Sequence, residues 1–384
     1  MRQKTKIDSM TGNRFPALFF AVLLLFFNGC AQSAPEEPVS GETVPAGHMD
    51  LQYAKQFSVD YYAGGAALVT IAGEERWLLV PEGTEPPQIA DATVLRTPME
   101  HLYVASSGAM DPFRCLDALD AVRFTSTTEA DWSLAEVRDA IASERMLYIG
   151  KYRAPDYEVL LSEGCPLAVE NTMIFHNPAT KEQLEALGIP VMVERSSYEE
   201  HPLGRMEWIR LYGLLCGRAD EAEAFFKAQT EALAQILTAE NTGKTVAFFS
   251  LSPNGYVNVR RPGDYLSKML ALAGGIYVPA ELETDENDAR STVNLQMEAF
   301  YAGAKDSDVL IYNANIYPVD SLDQLLEQNA LLADFKAVRE GEVWCAGENV
   351  FQETTAVGGM IADFHAVLRG GADESELTYL HRLR

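Results

Sequence analysis

The chain has 384 residues, 47% of them hydrophobic and 22% charged, enough for two domains that each bury a core. Its formal net charge is −26. A surface so acidic argues against nucleic acid, whose binding rests on Lys and Arg contacts to phosphate. It suits a secreted protein that must stay soluble.

The first 29 residues carry Arg2, Lys4, Lys6 and Arg14 against Asp8, so the remainder stands at about −29. Phe15–Phe27 is an apolar run, shorter than the roughly 20 residues a membrane-spanning helix needs. A basic start followed by such a run is the pattern of a signal peptide, placed at 1–29. The sequence Asn28-Gly29-Cys30 resembles a bacterial lipobox, with Phe27 where leucine is usual. The resemblance implies that Cys30 is lipidated and holds the protein at the extracytoplasmic face of a membrane. An ordinary signal peptide cut near Ala31–Ala34 is the alternative. Residues 30–50 are rich in Pro, Ser, Glu and Gly and read as a flexible tether. The other cysteines, Cys115, Cys165, Cys216 and Cys345, lack the spacing of a structural zinc site. They read as isolated buried thiols or, outside the cytoplasm, as disulfide partners whose pairing the sequence leaves open.

Residues 51–104 hold short runs rich in β-branched and aromatic residues, punctuated by Gly and Pro, and predict strands. Helix and strand patterns then alternate: a helix near Ser106–Asp117, a strand at VRFTS, a helix at SLAEVRDAIASERM and a strand at MLYIG. A helix follows Pro155, PLAVE is a buried strand, PATKEQLEALG a helix and IPVMVE a strand. This is the order of a mostly parallel sheet flanked by helices, and it defines an N-terminal α/β lobe over 51–201. From Pro202 to Ala239 apolar residues return every three or four positions with no further proline. The span predicts one bridging helix, 202–239, roughly 50 Å long. The alternative is two helices broken at Gly217–Arg218 with Asp220 as a new N-cap. The α/β alternation resumes over 240–384 as a C-terminal lobe. Each lobe holds a helix with an early glutamate, Glu158 or Glu298, ahead of a strand, PLAVE or DVLIY. Two such lobes predict a cleft between them, a preferred place for a ligand.

No catalytic or nucleotide-binding signature is present. His101, His176 and His201 would form a metal site only if the fold brought them together; otherwise each is a separate polar loop residue. Loops after strand ends are better stocked. Lys151, Tyr152 and Arg153 follow MLYIG; Arg195 and Tyr198 follow IPVMVE; Tyr256, Arg260 and Arg261 surround YVNVR; Tyr317 follows DVLIY. In open α/β sheets ligands sit beyond the carboxyl ends of strands. Arginine pairs with carboxylates and phosphates, and tyrosine offers a flat face with a polar tip. The set suits a bulky, polar or anionic ligand with ring character. The rival reading of each residue is a solvated loop position or a local ion pair.

The lipobox-like Cys30, the paired lobes, the bridging helix and the segments APDYEVLLSEGCPLAVE, STVNLQMEAFYAGAKDSDVLIY and LLADFKAVREGEVW together resemble the substrate-binding proteins of ABC importers. The class is the helix-bridged one that serves iron–siderophores, haem and cobalamin. Pro166-Leu167 stands where that class often has Pro-Asp. The resemblance implies two lobes joined by one long helix, a monomer with no catalysis and no intrinsic cofactor, and a ferric siderophore, haem or corrinoid as ligand. It further implies that Glu158 and Glu298 dock on the permease, which works with an ATPase. Alternatives are a lipid-anchored hydrolase, with Ser106 or Ser107 near His101, and a sensory lipoprotein that kept the lobes without the permease.

Overall fold

A computed structural model describes residues 43–280 and 292–384. The signal segment and Cys30 lie outside them. The first sheet is built from β1 (Gly47–His48), β2 (Phe57–Tyr61), β3 (Ala67–Ile71), β4 (Glu75–Pro81) and β5 (Thr93–Thr97), in that spatial order. Its alternation is that of a half-buried sheet. Val59, Val69 and Trp77 lie in register across three strands and turn into the main core. Leu68, Leu78 and Val80 turn the other way into a small cluster of their own. The strand β1 falls inside the stretch read as tether, so folded chain begins before residue 51.

The N-terminal lobe runs β6 (Leu102–Val104), α1 (Ser107–Cys115), β7 (Val122–Thr125), α2 (Ala135–Ala142), β8 (Leu147–Tyr148), α3 (Tyr157–Ser162), β9 (Ala168–Asn171), α4 (Pro178–Ala186) and β10 (Val191–Glu194). Its five strands are all parallel, in the order β10-β9-β6-β7-β8. The chain builds outward from β6 to one side, then returns to place β9 on the other. The carboxyl ends of β6 and β9 therefore flank a topological switch point.

The connector differs from a single 202–239 helix. It is three helices: α5 (Pro202–Glu207), α6 (Ile209–Cys216) and α7 (Ala219–Leu237). Gly217 adopts a left-handed φ of 69° and ends α6; Arg218, not Asp220, is the N-cap of α7. At 19 residues α7 spans about 28 Å. The turn is tight because Gly213 has no side chain: a Cβ there would lie 2.6 Å from that of Ala222. The apolar periodicity foretold helix but could not tell a straight rod from a folded hairpin, since both bury one stripe.

The C-terminal lobe runs β11 (Thr245–Leu251), β12 (Val257–Arg260), α8 (Tyr265–Leu272), β13 (Ile276–Tyr277), β14 (Thr292–Leu295), α9 (Met297–Ala304), β15 (Val309–Asn313), α10 (Leu322–Gln328), α11 (Lys336–Glu340), β16 (Val343–Ala346), α12 (Val357–Arg369) and β17 (Leu380–Arg382). The order is β14-β12-β11-β15-β16-β17, with β13 also on β11. The pairs β11·β15 and β15·β16 are parallel, while β12, β14 and β17 join antiparallel. The fold class is thus α/β, two lobes with largely parallel sheets flanked by helices. The second switch point lies between the carboxyl ends of β11 and β15. One apolar cluster is continuous from Val69 and Trp77 through Met206, Leu211 and Phe226 of the connector to Phe248, Ile311 and Phe364 of the C-terminal lobe. Cys115, Cys165, Cys216 and Cys345 are free thiols. Burial pushes each up to about 11, so they stay protonated at neutral pH.

Two glutamates fasten the first sheet to the connector. Glu207, wholly buried, accepts the backbone N–H groups of Gln52, Tyr53 and Ala54 at 2.8–2.9 Å and pairs with Arg210 at 3.0 Å. Glu199 accepts those of Lys55 and Gln56 and the Trp208 indole N–H at 2.7–3.0 Å. Gly204 permits the approach, since a Cβ there would lie 2.9 Å from the Tyr53 carbonyl oxygen. Glu207→Ala leaves three amides without their acceptor and takes from Arg210 one of its two carboxylates, the other being Glu223, and is expected to cost about 3–5 kcal/mol in urea unfolding. Glu200→Ala, which removes only an exposed pair with Lys55, should cost under about 1 kcal/mol.

Candidate functional site

The carboxyl ends of the two sheets face a common seam. Ser133, beyond β7, donates its N–H and hydroxyl to the Gln352 side chain at 2.7 Å, and Gln352 donates to the Asp131 carbonyl. Thr354 donates to the Gly108 carbonyl at 2.6 Å. Asp111, buried on α1 and paired with Arg114, accepts the N–H and hydroxyl of Thr355 at 2.8 and 2.5 Å. Lys268 of α8 donates to the Glu200 carbonyl. These contacts bring the loops after β6, β7 and β10 against the loop after β16 and the start of α8.

The loops at the two switch points carry large apolar side chains in solvent. Met173 and Phe175 follow β9, Tyr198 follows β10, Tyr256 sits in the β11–β12 turn and Ile316 follows β15; each is 41–52% exposed. Arg195 lies with its guanidinium 5.5 Å from the Phe175 ring centre. Of the residues expected to line a cleft, Arg195, Tyr198, Tyr256 and Tyr317 lie in these loops. Tyr317 is partly buried and its carbonyl accepts the Tyr312 hydroxyl at 2.8 Å. Lys151, Tyr152 and Arg153 lie beyond β8, at the sheet edge. Lys151 and Arg153 are exposed, while Tyr152 accepts from Asn177. The left-handed Gly150 makes that loop, where a Cβ would meet the Ala154 carbonyl at 2.8 Å. Arg260 is buried against the Phe351 ring at 5.0 Å and pairs with Asp264 at 3.7 Å. Arg261 is partly buried beside it, its carbonyl accepting from Ser267.

The three histidines are held separately. His101 bonds the Glu163 carbonyl, His201 caps α5 and stacks on Tyr53 at 4.6 Å, and His176 is exposed. Among the described residues no group of His, Cys, Asp and Glu is arranged to hold a metal. Ser106 and His101 form no pair. Ser106 and His101 stand at opposite ends of β6, about 16 Å apart along an extended strand, and Ser106 donates to Glu194 at 3.0 Å.

Glu158 and Glu298 occupy the first turns of α3 and α9. Both helices begin at the carboxyl-end side of their sheets. In α3 Leu160 faces inward and Asp156 caps the helix by accepting from Glu158 and Val159. In α9 Met297, Phe300 and Ala304 face inward. Both glutamates are left exposed, with no ion pair among the described residues.

A concavity lies away from the seam. A groove of about 1130 Å³ runs between β5 and the amino ends of β6, β9 and β10, lined by Trp77, Arg96, His101, Pro166 and Pro190. It sits at the opposite end of the strands from the switch points.

Solved structures of ABC-transporter substrate-binding and periplasmic binding proteins share this fold. The solved structures that share it include a periplasmic haem-binding protein of Pseudomonas aeruginosa, with TM-score 0.57 and 15% identity over 74% of this chain and 99% of that one. A petrobactin-binding protein of Bacillus subtilis matches at TM-score 0.56 and 12% identity, over 71% and 92% of the two chains. The vitamin B12-binding protein of Vibrio cholerae matches at 0.50 and 13%, over 71% and 97%. By sequence the chain is similar to two uncharacterized lipoproteins of Methanocaldococcus jannaschii. One is 20% identical over 79% of this chain and 77% of its own length, the other 22% identical over 92% of each. No protein-family model matches. No helix among the described residues is long and apolar enough to cross a membrane.

Sequence reasoning overlooked Met173, Phe175 and Ile316, although an apolar residue in a polar turn just past a strand was a usable signal. It also passed over Glu170, on β9 beside the first switch point. This carboxyl is wholly buried and has no hydrogen-bond partner among the described residues, and its charge acts on the buried Tyr103 hydroxyl. Burial pushes Glu170 up from 4.5 to about 8. The neutral form is bound in the folded protein, so its contribution is complete below pH 4.5 and is lost as pH rises through about 8. Stability in urea should therefore fall between about pH 4.5 and 8 in the wild type and stay flatter in Glu170→Gln.

Proposed function

We propose that the protein is an extracytoplasmic binding lipoprotein, anchored through Cys30, that captures a bulky organic metal complex at the seam and delivers it to an ABC permease. The observation that carries this reading is the set of exposed Met173, Phe175, Tyr198, Tyr256 and Ile316 in strand-end loops of both lobes, with Arg195 against Phe175. Apolar surface is left in water at a cost of about 25 cal/mol per Å² unless something covers it. A ligand with apolar faces and anionic groups would do so. A ferric siderophore is the first reading. Haem or a corrinoid is the second, favoured by flat side chains on both sides of the seam. Glu158 and Glu298, one exposed unpaired carboxylate per lobe, are the residues proposed to meet basic groups of the permease.

Titration of the folded protein with ferric siderophores, haemin and cobalamin, followed by tryptophan fluorescence, should give micromolar or tighter binding of at least one; binding of none would overturn the solute assignment. Replacing Phe175 by Ala should weaken that binding about tenfold. Reversing Glu158 and Glu298 to Lys together should abolish uptake in cells and leave binding intact, and unchanged uptake would remove the docking role.

A further inference from the structure

Most arginines of the described residues are tied to an acceptor: Arg114 to Asp111, Arg123 to Glu163, Arg210 to Glu207 and Glu223, Arg382 to Glu342. Arg205 is an exception. It lies on α5, in the connector, and is half-buried. Its guanidinium stacks 4.4 Å from the centre of the Tyr265 ring at the start of α8. Its Nη2 points toward Gly108 at the start of α1, where a Cβ would lie 3.4 Å from it and 3.2 Å from Thr354 Cγ2. Among the described residues it makes no hydrogen bond or ion pair, and its Nε is buried without an acceptor. The carboxylates that share its surroundings are occupied. Asp264 pairs with Arg260 and accepts from the Leu266 N–H, and Glu194 accepts from Ser106 and from the Ser196 N–H.

A partly desolvated guanidinium without acceptors is costly, and in a chain of net charge −26 a carboxylate to satisfy it would be easy to supply. Contact with the Tyr265 ring holds the guanidinium in place, and its planar set of donors suits a two-oxygen acceptor. The site draws on the connector and on both lobes at once. We propose that Arg205 is the anchor for an ionised carboxylate of the ligand, which makes the ligand an anionic, carboxylate-bearing complex rather than a neutral one. The inference rests on the binding role proposed above and narrows its substrate class.

The test compares each carboxylate-bearing probe with a neutral counterpart: haemin with its dimethyl ester, cobyrinic acid with its heptamethyl ester, and ferric citrate with neutral ferrichrome. In the wild type the carboxylate member of a pair should bind at least about tenfold tighter, the least expected of a hydrogen bond to a charged group. Arg205→Gln should erase that preference without changing affinity for the neutral member. Arg205→Lys, which keeps the charge and the aliphatic stem, should fold as the wild type does and recover part of the preference. Binding with no preference for the carboxylate member, or a preference that survives Arg205→Gln, would overturn the anchor and leave the binding role standing. Binding of none of the six probes would count against both.

Discussion

Five consecutive backbone amides, from Gln52 to Gln56, are taken up by two carboxylates, Glu207 and Glu199. The segment between β1 and β2 has no strand beside it there, so its N–H groups need other acceptors. The carboxylates, out of water, need donors. Each satisfies the other, and the result is a covalently remote but firm joint between the first sheet and α5. Trp208 and Arg210 complete it, and Phe57 packs edge-on to Trp208 at 5.0 Å. With that joint in place, α5 has a fixed position, and so do Arg205 above the seam and the α6–α7 hairpin behind it.

From this frame the seam follows. The N-terminal lobe presents the ends of parallel strands, whose loops need not be covered by neighbouring strands. The C-terminal lobe answers with the loop after β16, whose Gln352, Thr354 and Thr355 reach side chains and carbonyls of the first lobe. These are mostly neutral hydrogen bonds, each worth about 1 kcal/mol net. They align the lobes and leave the apolar rings on either side of the seam uncovered.

The alternating helix and strand segments were legible in the sequence because each buries one periodic stripe, and the α/β class and strand identities agree with the structure. The connector was misjudged as one rod because Gly217 announces a possible stop but not a reversal; the reversal depends on Gly213 fitting against Ala222, a tertiary contact. β17 escaped notice since three residues near the end of the chain carry no periodicity, and its pairing with β16 is antiparallel and long-range. Arg195, Tyr198, Tyr256 and Tyr317 could be proposed as ligand contacts from their position just past strands. Arg205 could not. It sits inside a helical stripe that reads as structural, and only the fold shows that it lacks an acceptor.

The unbroken apolar cluster through Trp77, Met206, Phe226, Ile311 and Phe364 has a bearing on folding as well as on shape. Separate domains melt separately when a polar hinge divides their cores. Here the connector contributes side chains to the same interior as both sheets. Neither lobe can shed its packing without exposing that of the other, so the two lobes share one apolar interior in place of two separable cores.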